Sequence, residues 1–371
     1  MTQFSTARAA MNRSKPPRYS EAELIQALAA HERFTRGEPG GQRAVWRFVQ
    51  APGYDFSARL MAGADLTGAN LKAARLVRAN LERACLQLAD LREADASEAN
   101  FKRADIRGVS LRHANLNGAT FDDADMSQAI LSPRGTSDGF RLVERAPSAG
   151  AGPDDVTFEV DFTNCAMRRV RLTNAKLNRA NFTGAYLADA DLAGADLRGA
   201  RFRGAVLTGA LLGGAKIDPD ALKGCVVDPS PRAIQRAPQL MERLEAADIW
   251  VETGGANGDA ADLDDEDLRP LGAAFAGRRL TAISARRVCA VGMSFAGAQL
   301  QGGRFDDADL RDVDFTGADL RGASFRGARL RYARFQDVDM RPLPLTNGGV
   351  RLVDLTGADH ADDCFATCRQ T

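Results

Sequence analysis

The residues with the clearest capacity for chemistry lie near the C-terminus, where His360, Cys364 and Cys368 are spaced by four. On a helix that spacing puts three side chains on one face, and an imidazole with two thiolates can hold a metal. Asp359, Asp362 and Asp363 are interleaved with them. The spacing matches no established zinc pattern, so no metal is assigned, and the plainer reading is a C-terminal cap whose cysteines pack against the end of the fold. His31 and His113 have no nucleophile or ligand at motif spacing and read as solvated surface. The run Gly254-Gly255-Ala256-Asn257-Gly258-Asp259 resembles a Gly/Asp calcium repeat, but a single copy reads as a turn. No phosphate-cradling Gly-x4-Gly-Lys-Ser/Thr loop occurs. The residues define no catalytic constellation and no cofactor site, and a non-enzymatic chain is expected.

The elements that must carry these residues follow from a period of five. In Ala64-Asp65-Leu66-Thr67-Gly68-Ala69-Asn70-Leu71 every fifth residue is large and apolar, and the residue two before it is alanine. The pattern continues through Leu76, Leu81, Leu86 and Leu91, returns in Leu172–Ile217, and returns again in Phe295–Met340. Five fits neither the helical spacing of three and four nor the strand alternation of two. A chain that turns a corner every five residues satisfies it. The large residue and the alanine then point inward, and Asp, Asn, Thr, Arg and Gly face solvent and turns. Phe275, Phe295, Phe315 and Phe335 are twenty apart, as are Phe162, Phe182 and Phe202, and Phe101 and Phe121. Twenty is four fives, which implies four sides per coil with residues twenty apart stacked at strand spacing, about 4.8 Å. Where the central residue shrinks to Ala285 or Ala290, its partner grows to Ile283 or Val288, keeping the interior volume constant.

These residues resemble the pentapeptide-repeat family, whose motif is written A(D/N)LXX. The resemblance implies an all-β solenoid, a right-handed quadrilateral β-helix, here in two or three blocks with short capping α-helices.

Along the chain, residues 1–20 read as a disordered, basic lead-in without the apolar core of a signal peptide. Residues 21–55 read as a helical cap (Glu21–Thr35) and a glycine loop, and 56–131 as the first repeat block. Residues 132–155 read as an inserted hairpin or loop, from Ser132-Pro133-Arg134-Gly135 onward. Residues 156–217 form the second block. Residues 218–270 read as a helical linker or cap (Ala233–Trp250) with an acidic loop, 271–341 as the third block and 342–371 as an irregular tail. Leu24, Leu28 and Phe34 line up with Leu240, Leu244 and Trp250, and glycines follow both segments, so a module of helix, glycine loop and solenoid is duplicated. A helix across an open coil end covers its unpaired strand edge.

Lys+Arg and Asp+Glu are 49 each. A neutral chain argues against nucleic acid as partner, and no apolar run is long enough to span a membrane. Six scattered cysteines suit a reduced, cytoplasmic chain. The outward columns Lys72, Arg92 and Arg112, and Arg311 and Arg331, are candidate contacts for an acidic partner, with mixed surface charge as the plainer account. The sequence supports a scaffold or adaptor that binds an unidentified protein partner through its faces and the 132–155 insert. One alternative is a DNA mimic acting on gyrase or topoisomerase, as some members of the resembled family do. Such a mimic needs a strongly negative rod, which this chain lacks. Another is a metal or redox role for the His/Cys tail.

Overall fold

The computed structural model describes residues 20–127, 129, 160–346, 348–361 and 364–369. The chain divides into two compact units at Asp228/Pro229. The lead-in up to residue 19 and the 132–155 insert lie outside the described residues.

In the first unit the chain pairs with itself in parallel every twenty residues. Asn70 bridges Asp90 and Asp90 bridges Ser110, while Asp65, Cys85, Asp105 and Asp125 form a second column. Asp55–Arg75–Asp95–Asn115 and Leu60–Asn80–Asn100–Thr120 form the third and fourth. Each side contributes one isolated bridge to each neighbouring turn, so no long strand forms among the described residues of this unit; Leu71 N–H donates to Asp90 O (2.8 Å) and Asp90 N–H to Ala69 O (2.9 Å). Parallel return at a fixed interval means a stacked coil, with four bridge positions per turn.

The corner between bridges is a tight turn. Ala69 N–H donates to Leu66 O (3.0 Å), and the third residue, Gly68, has φ 65. Arg78, Leu88 and His113 hold the same left-handed position at φ 58, 57 and 59, a cost to a side-chain-bearing residue that the stacked ladder offsets. The Asp or Asn one place before the central residue caps this turn. Asp65 Oδ1 accepts from Thr67 N–H (3.2 Å) and Asn70 Oδ1 from Lys72 N–H (3.2 Å). That acceptor accounts for Asp/Asn in the repeat, because its oxygen reaches the backbone two residues on. Inward, the central residues and their alanines are buried without exception from Ala64 to Ala129 among the described positions.

The ladder does not stop at the insertion. Asn115 bridges Asp161, Thr120 bridges Ala166 and Asp125 bridges Arg171, each 46 residues apart, which is one turn of twenty plus 26 added residues. Phe162, Phe182 and Phe202 then stack with ring centroids 5.0 Å apart at both steps.

Helix α1 (Glu21–Thr35) begins with a capping box, in which Ser20 Oγ accepts from Glu23 N–H and Glu23 returns its carboxylate to Ser20 N–H. It lays Leu24, Leu28 and His31 onto the first turn. That turn starts earlier than the sequence suggests. Val45 already bridges Asp65, Gln50 bridges Asn70, and Trp46 occupies a central inward site at 2 % exposure. Residues 44–55 are therefore coil rather than glycine loop.

The second unit repeats the plan. Helix α2 (Pro231–Glu252), capped by Ser230, buries Ala233, Leu240, Leu244 and Ala247. Its polar side is tied down by Arg278–Asp248 (2.6 Å) and Arg236–Glu266 (3.1 Å). The acidic stretch after it is not a loop. Asp262 bridges Ser284 and Asp267 bridges Cys289, and Asp265 is held by Arg287 at 2.6 Å, so the coil begins near Ala261 and not at residue 271. The phenylalanine column 275–295–315–335 is stacked, with centroid spacings of 4.7, 5.4 and 5.3 Å. Phe305 and Phe325 form a second column beside it, at 5.2 Å.

The tail is a further turn of coil. Ser324 bridges Asp354, Arg329 bridges Asp359 and Asp339 bridges Arg369, each at a separation of 30, so ten residues are added to one turn. Within that addition β1 (Leu343–Pro344) and β2 (Val350–Arg351) pair antiparallel. No helix among the described residues is long and apolar enough to cross a membrane.

Candidate functional site

His360, Cys364 and Cys368 do not share a helix face, because the segment winds as coil. His360 takes a central position in the last turn, with its ring 5.1 Å from Phe365. Phe365 in turn extends the phenylalanine column beyond Phe335 (4.6 Å). Cys368 holds the small inward site, its thiol 3.3 Å from Phe335 O, and burial pushes its pKa up to about 11. A thiol so held is a poor thiolate ligand or nucleophile. Among the described residues no group of three His, Cys, Asp or Glu side chains is disposed to hold a metal. The Gly254–Asp259 run forms the C-terminal turn of α2, with Gly255 N–H on Trp250 O (2.8 Å) and Thr253 Oγ1 on Asn257 O (3.0 Å).

His31 reverses the sequence reading. It is buried, at 0 % exposure, between the rings of Phe34 (5.9 Å) and Trp46 (6.2 Å). Ala44 N–H donates to its Nδ1 at 3.0 Å, so the neutral ring carries its proton on Nε2. Burial lowers its pKa, with Arg43 acting in the same direction and the Met61 and Ala62 backbone and Glu32 opposing it. His113 stands at an exposed corner, as the period implies.

The basic columns are largely neutralised in place. Lys72 Nζ lies 3.2 Å from Glu93, and Arg92 forks onto Asp90 with contacts of 2.7 and 2.5 Å. Burial pushes the Asp90 carboxyl up, but the Arg92 hydrogen bonds outweigh it and hold the pKa below the usual range. Arg112 is half-buried in the same column. Arg311 is not available to a partner. It is 2 % exposed and forks onto Asp309 at 2.8 and 2.6 Å. Arg331 is held by Asp359 at 2.8 and 3.0 Å. The recurring element is Asp-x-Arg, also seen at Asp105/Arg107, Asp196/Arg198, Asp319/Arg321 and Asp339/Arg341. The turn brings the guanidinium of one residue back over the carboxylate two places earlier, a planar bidentate pair.

The geometry is one of a repeat, and the repeat is recognisable by its sequence. The profile of the family described as pentapeptide repeats matches in 8 copies, over residues 60–95, 97–132, 158–188, 185–218 and 308–341. The chain belongs to the pentapeptide-repeat family. Solved pentapeptide-repeat structures are similar to it. HetL, involved in heterocyst differentiation regulation in the cyanobacterium Nostoc sp. strain PCC 7120, is 19 % identical, with 90 % of this chain and 100 % of that chain covered, at a TM-score of 0.18. A second pentapeptide repeat protein of Nostoc PCC 7120 is 30 % identical over 31 % of this chain and 85 % of its own, at 0.16. Full-length QnrB1, a plasmid-mediated fluoroquinolone resistance protein, is 17 % identical over 85 % and 83 %, at 0.19. Superpositions this poor say nothing further about geometry, and the assignment rests on the repeat itself. No curated protein matches.

Proposed function

We propose that this pentapeptide-repeat protein is a non-enzymatic scaffold or adaptor, whose coil is a right-handed, four-sided β-helix that presents a protein-binding insertion. The observation that carries this reading is the bridge ladder closing over 26 added residues without loss of register, from Asn115–Asp161 through Asp125–Arg171. Inserts on a regular solenoid cluster on binding faces. The interior supports it from the other side, since central and alanine sites are filled by buried apolar side chains that leave no room for a reaction centre. All six cysteines are free thiols, which suits a reducing, cytoplasmic setting. A gyrase-directed DNA mimic is disfavoured by the balance of 49 acidic and 49 basic residues.

The test is a deletion of residues 132–157, which restores the spacing of Asn115 and Asp161 to twenty. The shortened protein should keep its unfolding transition and lose the partners that the full chain captures. An unchanged set of partners would remove the insertion from the function. An experimental structure with a left-handed coil would overturn the finer fold.

A further inference from the structure

The ten-residue addition in the second unit builds something that the plain coil lacks. Leu343 of β1 sits against the face of the preceding turns. A Cβ at Gly322 would meet Leu343 Cβ at 2.9 Å, and Gly322 itself has φ 65. One turn earlier the guanidinium of Arg351 lies over Gly302, 3.8 Å from where a Cβ would stand. The glycine at 322 thus lets the hairpin lie flat on the coil and raise a wall beside it, with an ordinary contact at Gly302. Between wall and coil runs a groove of about 430 Å³ lined by Arg304, Asp306, Ser324, Arg326, Arg351, Leu352 and Asp354.

The charges in this groove are unequally committed. Asp306 accepts from Ser324 Oγ and from Arg326 N–H (3.3 Å). Asp354 accepts from Thr356 N–H (3.0 Å) and faces Arg326 Nε at 3.7 Å. Arg326 and Asp354 are therefore paired, while Asp306 is held by neutral donors and keeps its charge. Arg304 and Arg351 form no ion pair among the described residues, although this is a protein in which turn after turn folds its arginines onto aspartates. Two guanidiniums outside any ion pair, set against the single carboxylate of Asp306, leave the walled groove net positive and match a phosphate monoester, which carries nearly two negative charges and presents oxygens to planar forks. Exposed Leu352 gives the organic part of such a ligand an apolar surface.

We propose that the groove between the 343–351 hairpin and the coil binds a small organic phosphate monoester, held by Arg304 and Arg351. The site is independent of the scaffold reading and of the 132–157 insertion. The test is calorimetric titration of the full chain with phenyl phosphate, with benzoate as the singly charged comparison. Phenyl phosphate should bind saturably in the sub-millimolar range and benzoate much more weakly. Arg304→Gln and Arg351→Gln should each weaken binding about tenfold, the scale of a lost charged hydrogen bond. Arg329→Gln, outside the groove, should bind as the parent does. All three changes are at exposed side chains, and an unaltered thermal transition shows that each variant folds. No saturable binding at millimolar phenyl phosphate, equal binding of benzoate, or an equal loss in Arg329→Gln would overturn the proposal.

Discussion

Replacing Phe315 by alanine is the sharpest test of the stacked interior. Phe315 is 0 % exposed and lies between Phe295 and Phe335 at 5.4 and 5.3 Å. The edges of Phe305 and Phe325 meet it at 6.3 and 5.9 Å. Truncation removes the ring's burial and its four aromatic contacts together. It also leaves a hole that cannot easily collapse, because Asp314 is bridged to both Ser294 and Arg334. Phe→Ala in cores costs about 3–5 kcal/mol, and a pinned backbone puts this site near the upper end, about 4–5 kcal/mol. Urea unfolding followed by Trp250, which lies in the same unit, would show the midpoint fall with the slope unchanged. Leu88→Ala, at a side chain 53 % exposed, should stay within about 0.5 kcal/mol. A loss below about 1 kcal/mol for Phe315→Ala would mean that the phenylalanines do not pile above one another, and the coil with them would be wrong.

Two further outcomes follow from buried ionisable groups. The folded pKa of His31 is depressed, so the unfolded chain takes up the proton first as pH falls. Stability of the first unit is full above the ordinary histidine pKa of about 6.5, declines below it, and levels off once the folded ring is protonated too. Trp46 fluorescence in denaturant between about pH 7 and 5 should report this decline, and His31→Gln should flatten it, since the aspartates lower their contribution only in more acidic solution. In the second unit Asp309→Asn removes the carboxylate on which buried Arg311 forks and should cost about 3 kcal/mol, whereas Asp359→Asn, at an exposed carboxylate facing half-buried Arg331, should cost under about 1 kcal/mol; equal losses in thermal unfolding would refute the distinction.

The five-residue period made most of the interior legible, because a side chain that must point inward at every corner leaves its mark on each repeat. Helix α1 was readable to its bounds from the apolar spacing of Leu24, Leu28 and Phe34 and the glycines that follow. The ends of the coil were harder to read. Val45 and Phe48 put apolar residues at outward sites and hide Trp46 as a central one, and the ten residues before Leu355 displace its register. His31 was misplaced although Leu24, Leu28 and His31 follow one helix face. What sequence could not say is that the first turn of coil lies against that face. The fate of the basic columns was spelled in Asp90-Leu91-Arg92 and Asp309-Leu310-Arg311, but the fork requires the turn that folds residue three over residue one. The groove was not legible at all, since it needs Arg304 and Arg351, 47 positions apart, brought to one wall.

The two additions, 10 and 26 residues, enter turns whose neighbours above and below keep their pairing. Loop closure grows only with the logarithm of length, so the longer excursion costs about 0.8 kcal/mol more than the shorter. A corner of such a coil is thus a socket: it can accept a peptide of almost any size while the stack on either side stays in place, so new recognition can be acquired without renegotiating the fold.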